Sequence, residues 1–178
     1  MAERNRLISV LSANKAALRF LALFAVIFGV LYLIFGLMPG VRQGLIRPYT
    51  GVLAEAVGAT INLLGAGATV QDTLVQSSRF SINIVMGCDG VEASCLFAAG
   101  VLAFPATWGA RLIGLALGLP AIQLINVLRL VGLYFAGVYA PSSFEELHVY
   151  VAQTIVILLS TAILILWFER IGIRHRRA

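Results

Sequence analysis

Residues 112–140 read LIGLALGLPAIQLINVLRLVGLYFAGVYA, an apolar run interrupted among strongly polar side chains only by Gln123, Asn126 and Arg129. It exceeds the roughly 20 residues that a helix needs to cross a hydrocarbon core, and Pro120 within it predicts a kink. The whole chain is 60% hydrophobic and 12% charged, with a mean hydropathy of +0.95. Ordinary soluble domains do not have that composition, so lipid is the solvent for most of this surface.

Working outward from that run, the chain downstream carries a last span at 149–168 and then a basic tail, 169–178, with Arg170, Arg174, Arg176 and Arg177. Upstream lie a brief span at 90–104 and a first span at 20–38, preceded by a basic segment, 1–19, with Arg4, Arg6, Lys15 and Arg19. A cleavable signal peptide is a weaker reading of the start. Its apolar stretch is longer than the roughly 7 to 15 residues of a signal core, and no A-x-A site follows it. The fold class expected is an all-α polytopic membrane protein, a single domain of about four transmembrane helices.

The positive-inside rule orients these spans. Nine cations, the eight just named and Arg111, then fall in the cytoplasm, and Arg42, Arg47, Arg79 and Arg129 fall outside or at the outer edge. Six acids, Glu55, Asp72, Asp89, Glu92, Glu145 and Glu146, also fall outside. A net charge of +5 distributed this way points to topology and not to nucleic acid.

Residues 39–89 form an extracytoplasmic insertion on this reading. Leu53, Val57, Ile61 and Leu64 recur with helical spacing and predict an amphipathic helix over Val52–Leu64, at the interface or against the bundle. Thr69–Val75 and Phe80–Val85 favour strands, which predicts a small β-hairpin turning at Gln76-Ser77-Ser78.

Cys88 and Cys95 are seven residues apart. On one helix their Cα atoms would be about 10.5 Å apart, beyond the roughly 7 Å that a disulfide spans. Metal-ligand spacing and nucleotide-binding glycine motifs are lacking, so no metal or cofactor is expected.

The residues with chemical capacity gather at one membrane edge. Cys88 precedes a capping box formed by Asp89 and Glu92, which places it just before a helix N-terminus, where the partial positive charge favours a thiolate and the two acids oppose it. Arg129 lies eighteen residues beyond Arg111, a rise of about 27 Å that brings it near the outer boundary. Gln123, Asn126 and Arg129 form one polar stripe that should face the bundle interior. His148 follows a second capping box, Ser143 and Glu146, and Glu145 three residues earlier could orient its imidazole. Taken singly, each has a plainer reading. Cys88 and Cys95 pack as small hydrophobes, the stripe bonds helices together, Glu145 is an exposed acid and His175 is a solvated tail residue. Three counts along three spans nonetheless converge on a nucleophile, a cation and a base.

The order Cys88-x-Gly90, Asn126-x-x-Arg129 and His148 resembles the exosortase/archaeosortase family over about Gly51–Trp167. The Pro141-x-x-Phe144-x-x-x-His148 lead adds to the likeness, and the short length is most similar to compact bacterial exosortases, exosortase H among them. The resemblance implies a cysteine transpeptidase or endopeptidase with Cys88, Arg129 and His148 as catalytic residues. Gly90, Asn126 and Glu145, adjacent to these in the segments read above, are expected as supporting residues. It also implies secreted substrates carrying a C-terminal motif, a transmembrane helix and a basic cluster. The expected location is the bacterial cytoplasmic (inner) membrane, with the site facing the periplasm or exterior and an acceptor that the sequence does not identify. The competing readings are a non-enzymatic membrane assembly factor and a small transporter using Arg129 as an anion site.

Overall fold

A computed structural model describes residues 14–172. The cations expected in the cytoplasm at Arg4, Arg6, Arg174, Arg176 and Arg177, together with His175, lie outside the described residues. Helix α1 spans Lys15–Leu31 and continues as a π-helical turn, Tyr32–Leu37. Met38, ahead of Pro39, is extended at ψ 117°, as a residue before proline prefers. Two short helical turns, Pro39–Val41 and Arg42–Ile46, then lead into α2, Arg47–Leu63.

α2 is amphipathic and starts earlier than periodicity indicated, but Leu64, expected on its apolar side, is exposed and lies just past its end. Leu53, Ala54, Val57, Gly58 and Ile61 form its buried face, and Glu55 points away. Beneath that face lies an antiparallel sheet, β1 (Thr69–Gln71), β2 (Leu74–Gln76) and β3 (Ser81–Asn83), in the order β1-β2-β3. The expected hairpin is present as β2–β3, with Gln76 opposite Ser81, and a further strand precedes it. Asp72 adopts a left-handed φ of 57° and folds the Thr69–Val75 stretch back on itself, so that it supplies two strands, with Val70 opposite Val75. The next turn begins at Ser77, whose Oγ accepts from the backbone N–H groups of Arg79 and Phe80 at 3.1 and 3.3 Å. Phe80 and Ile84–Val85 fall outside β3.

After the Cys88 loop comes α3, Val91–Ala103, and Phe104 ends it in extended conformation ahead of Pro105. Thr107 Oγ1 accepts from the Ala110 N–H at 3.4 Å and starts α4, Trp108–Tyr139. α4 passes through Pro120 as one element. A 3₁₀ turn (Pro141–Ser143), an α turn (Phe144–Glu146) and a π-helical turn (Leu147–Ala152) then climb into α5, Gln153–Trp167.

Three helical stretches, Lys15–Leu37, Trp108–Tyr139 and Gln153–Arg170, are long and apolar enough to cross a membrane, and α3 is a shorter apolar helix. Beyond Glu92 and Ser94 near its start, α3 is apolar all round, which is the signature of a helix with no solvent face. It is enclosed by its neighbours, with Phe97, Ala99 and Val101 fully buried. A Cβ on Gly118 of α4 would collide with the Phe97 ring, so that glycine permits the close helix approach.

α4 is about 48 Å long, well over the roughly 30 Å of hydrocarbon. Its two halves serve two cores. The first half packs with α3 and α5 through Phe97, Val101, Ile122, Val156, Leu164 and Trp167. The second half, Leu130–Tyr134, packs with α2 and the sheet through Val57, Ile61, Val75, Ile82 and Ile84. Cys88 belongs to the second core and lies beside the polar stripe that separates the two.

Candidate active site

Cys88 sits in the loop between β3 and α3. Its N–H donates to Val85 O at 2.9 Å, and Gly87 and Gly90 on either side have φ of 86° and 75°. The cap of α3 differs from expectation by one residue. Gly90 is the N-cap, and the Asp89 carboxylate reaches forward to the Val91 N–H at 3.0 Å. Glu92 lies in the first turn without closing a box. The second expected box is also absent, since Ser143 caps no N–H of the Phe144–Glu146 turn.

The Cys88 Sγ is 3.1 Å from His148 Nε2 across sixty residues of chain. His148 is carried on the π-helical turn before α5 and its ring meets Phe144 edge-on, with centroids 5.7 Å apart. Glu145 does not orient the imidazole. It is exposed and makes no hydrogen bond to His148, because the turn at 144–146 directs it outward.

From α4, Asn126 is fully buried. Its Nδ2 donates to Cys88 O at 3.0 Å, and its Oδ1 accepts from an Arg129 Nη at 3.2 Å. Arg129 Nε is buried with no partner among the described residues. An open buried donor of this kind is able to serve an incoming acceptor. Next on the stripe, Gln123 Nε2 donates to Ser94 Oγ at 2.8 Å and to Gly90 O at 3.4 Å.

Electrostatics make the sulfur–imidazole pair neutral at rest. Burial raises the Cys88 thiol above its usual range, the nearby Arg129 charge draws it back down, and Asp89 and Glu92 push it up. Burial lowers His148 below its usual range, and the Arg129 charge lowers it further. Asp89 is likewise raised by burial, against the pull of its hydrogen bond from Val91 and of Arg42. No cluster of three or more metal-binding side chains occurs among the described residues.

A family model of transmembrane exosortases matches residues 7–168, nearly the whole chain. The chain belongs to the transmembrane exosortase family. Archaeosortase A of Haloferax volcanii is 30% identical over 93 residues, which cover 51% of this chain and 31% of the archaeal protein. The match therefore spans less than a third of that relative. No solved structure matches the chain.

In this member of the family, one part of the site's surroundings had no signal in the linear sequence. Tyr49, near the start of α2, donates its hydroxyl to Asp89 O at 3.0 Å. It lies forty residues from Asp89 in a helix whose periodicity indicates only amphipathicity, so only the folding of α2 over the sheet reveals it. Gln123 was legible as part of the polar stripe, but its grip on the Gly90 carbonyl was not.

Proposed function

We propose that this protein is a membrane-embedded cysteine transpeptidase or endopeptidase that cleaves the C-terminal sorting signal of secreted proteins. Its family is known for such activity. The observation that carries the reading is the 3.1 Å approach of Cys88 Sγ to His148 Nε2 beside an arginine with an open buried N–H.

In this reading, His148 Nε2 takes the thiol proton as Cys88 Sγ attacks the scissile carbonyl. A neutral imidazole is the form able to accept that proton, and burial together with Arg129 keeps it neutral. The Arg129 guanidinium stabilises the oxyanion, with the unpartnered Nε–H as a donor ready for it. Collapse of the tetrahedral intermediate breaks the C–N bond, His148 returns the proton to the leaving amine, and a thioester to Cys88 remains. An acceptor amine converts the thioester to a new amide, and water converts it to a free acid. The substrate carries a short motif, a transmembrane helix and a basic cluster, and the basic cluster lies on the same side as the arginines beyond α5. The site then faces the outside of a bacterial cytoplasmic membrane.

Co-expression with a secreted protein bearing such a tail gives a direct test by gel shift. Wild type should remove the tail, and Cys88→Ala, Arg129→Ala and His148→Ala should leave it intact. Normal processing by Cys88→Ala would sink the nucleophile assignment.

A further inference from the structure

Cys88, Asp89 and Gly90 each have the backbone carbonyl taken by a side-chain donor from elsewhere in the fold. Asn126 holds Cys88 O at 3.0 Å, Tyr49 holds Asp89 O at 3.0 Å and Gln123 reaches Gly90 O at 3.4 Å. Gly90 O also receives the Ser94 N–H of α3, so the first two contacts are the ones that hold the loop where helix bonding does not. Two of the donors come from α4 and the third from α2, so the loop is gripped by two different helices. Room for the two amides exists because residue 90 has no side chain. A Cβ there would lie 3.0 Å from Asn126 Nδ2 and 3.0 Å from Gln123 Oε1.

We propose that Asn126, supported by Tyr49 and Gln123, is a positioning residue: one amide holds Cys88 by its carbonyl and Arg129 by its guanidinium, and so sets the nucleophile and the cation relative to one another. Asn126 is fully buried, and its hydrogen bonds go to the Cys88 carbonyl and the Arg129 guanidinium, not to the sulfur. It is one of the few side chains that can do both tasks, because it needs a donor on one side and an acceptor on the other. The charged and titratable groups around the thiol are Arg129 from α4, His148 from the π-helical turn, and Asp89 and Glu92 from its own segment. Of these, Arg129 alone is tethered by Asn126. Releasing it weakens the pull of the one side chain that favours the thiolate among the described residues and leaves the opposing acids in place.

This inference rests on the transpeptidase reading, and its test includes a measurement that needs no substrate. In a Cys95→Ser background, so that Cys88 is the single thiol, the full chain in detergent is alkylated with iodoacetamide across a pH series. Asn126→Ala should move the midpoint of alkylation to higher pH. It should also lower kcat for tail removal by about 100-fold, the scale of an ångström-level misplacement, with KM nearly unchanged. Tyr49→Phe keeps the ring and removes one hydrogen bond to the loop. It should lower kcat about tenfold without moving the alkylation midpoint or the melting temperature. A purely structural staple predicts the reverse pattern, with Asn126→Ala melting earlier and its folded fraction alkylating with the wild-type midpoint, and that result would overturn the proposal. If Asn126→Ala does not fold, wild-type kcat in Tyr49→Phe would overturn it instead. Tail removal by Cys88→Ala would sink the transpeptidase reading itself, whereas a dead Cys88→Ala beside unaffected Asn126→Ala and Tyr49→Phe would sink only the positioning role.

Discussion

At the Cys88–His148 pair, the direction of two proton affinities sets a pH dependence. His148 titrates below its usual 6.5 and Cys88 above its usual 9.0. A protonated imidazole cannot accept the thiol proton, so kcat/KM should rise with pH through an acidic limb lying below 6.5. The alkaline limb should lie above 9.0, where the thiol ionises on its own and His148 is left without a proton for the leaving amine. A pH–rate profile of tail removal checks both limbs, and an acidic limb at or above neutrality would contradict the neutral pair. Gly90 offers a second test at this scale. Gly90→Ala forces a side chain into the left-handed region, at a cost of about 1–2 kcal/mol, and drives a methyl group against both amides that hold the loop. It should lose most tail-removing activity while still inserting in the membrane, as judged by membrane fractionation. The positions of Cys88, Arg129 and His148 along their segments could be counted from sequence because helical rise is constant. The partners of the Cys88 loop could not, because hydrogen bonds from Tyr49 and Asn126 depend on tertiary packing.

Among the elements, the π-helical turn at 147–152 takes its aim from the sheet. The Phe80 ring, just before β3, lies 5.1 Å from Phe144 and 6.2 Å from Tyr134, and Phe144 in turn meets the His148 imidazole. A Cβ on Gly137 of α4 would collide with Phe80, so α4, sheet and imidazole form one aromatic stack. Phe144→Ala should therefore lower kcat by about 10- to 100-fold, although residue 144 supplies no reacting group. Gly137→Ala should give a smaller loss of the same kind, and both are measured by the rate of tail removal. The tyrosine hydroxyl of this stack pairs with Ser77 Oγ, which binds the β2–β3 turn to α4. The element-level misreadings have local causes. Thr69–Val75 looked like one strand because its apolar residues continue past Asp72, yet aspartate is among the residues that tolerate positive φ, and it supplied the turn. Asp89 looked like an N-cap by spacing. A glycine next to it takes the left-handed cap more easily and moves the carboxylate back by one position.

For the whole molecule, the apolar composition was enough to indicate an all-α membrane bundle, because no other solvent suits such a chain. The two-core division was harder to read, since α4 runs through both without a break in its sequence pattern. The core around α3 should respond to packing alone. Phe97→Ala removes a fully buried ring and should cost about 3 kcal/mol or more, seen as a lower melting temperature in detergent. The exposed Arg47–Asp72 pair, at 2.6 Å, should matter little, and Arg47→Ala should melt with the wild type. The burial of Cys88, with 6% of its surface accessible, has a further consequence on the proposed topology. An outward-facing thiol meets an oxidising compartment, where thiolates are converted to sulfenic acid or mixed disulfides. A sulfur kept protonated and enclosed until a peptide arrives is a poor target for peroxide, and Cys95 is buried as well. Durability outside the reducing cytoplasm is thus built into the same burial that holds the nucleophile in reserve.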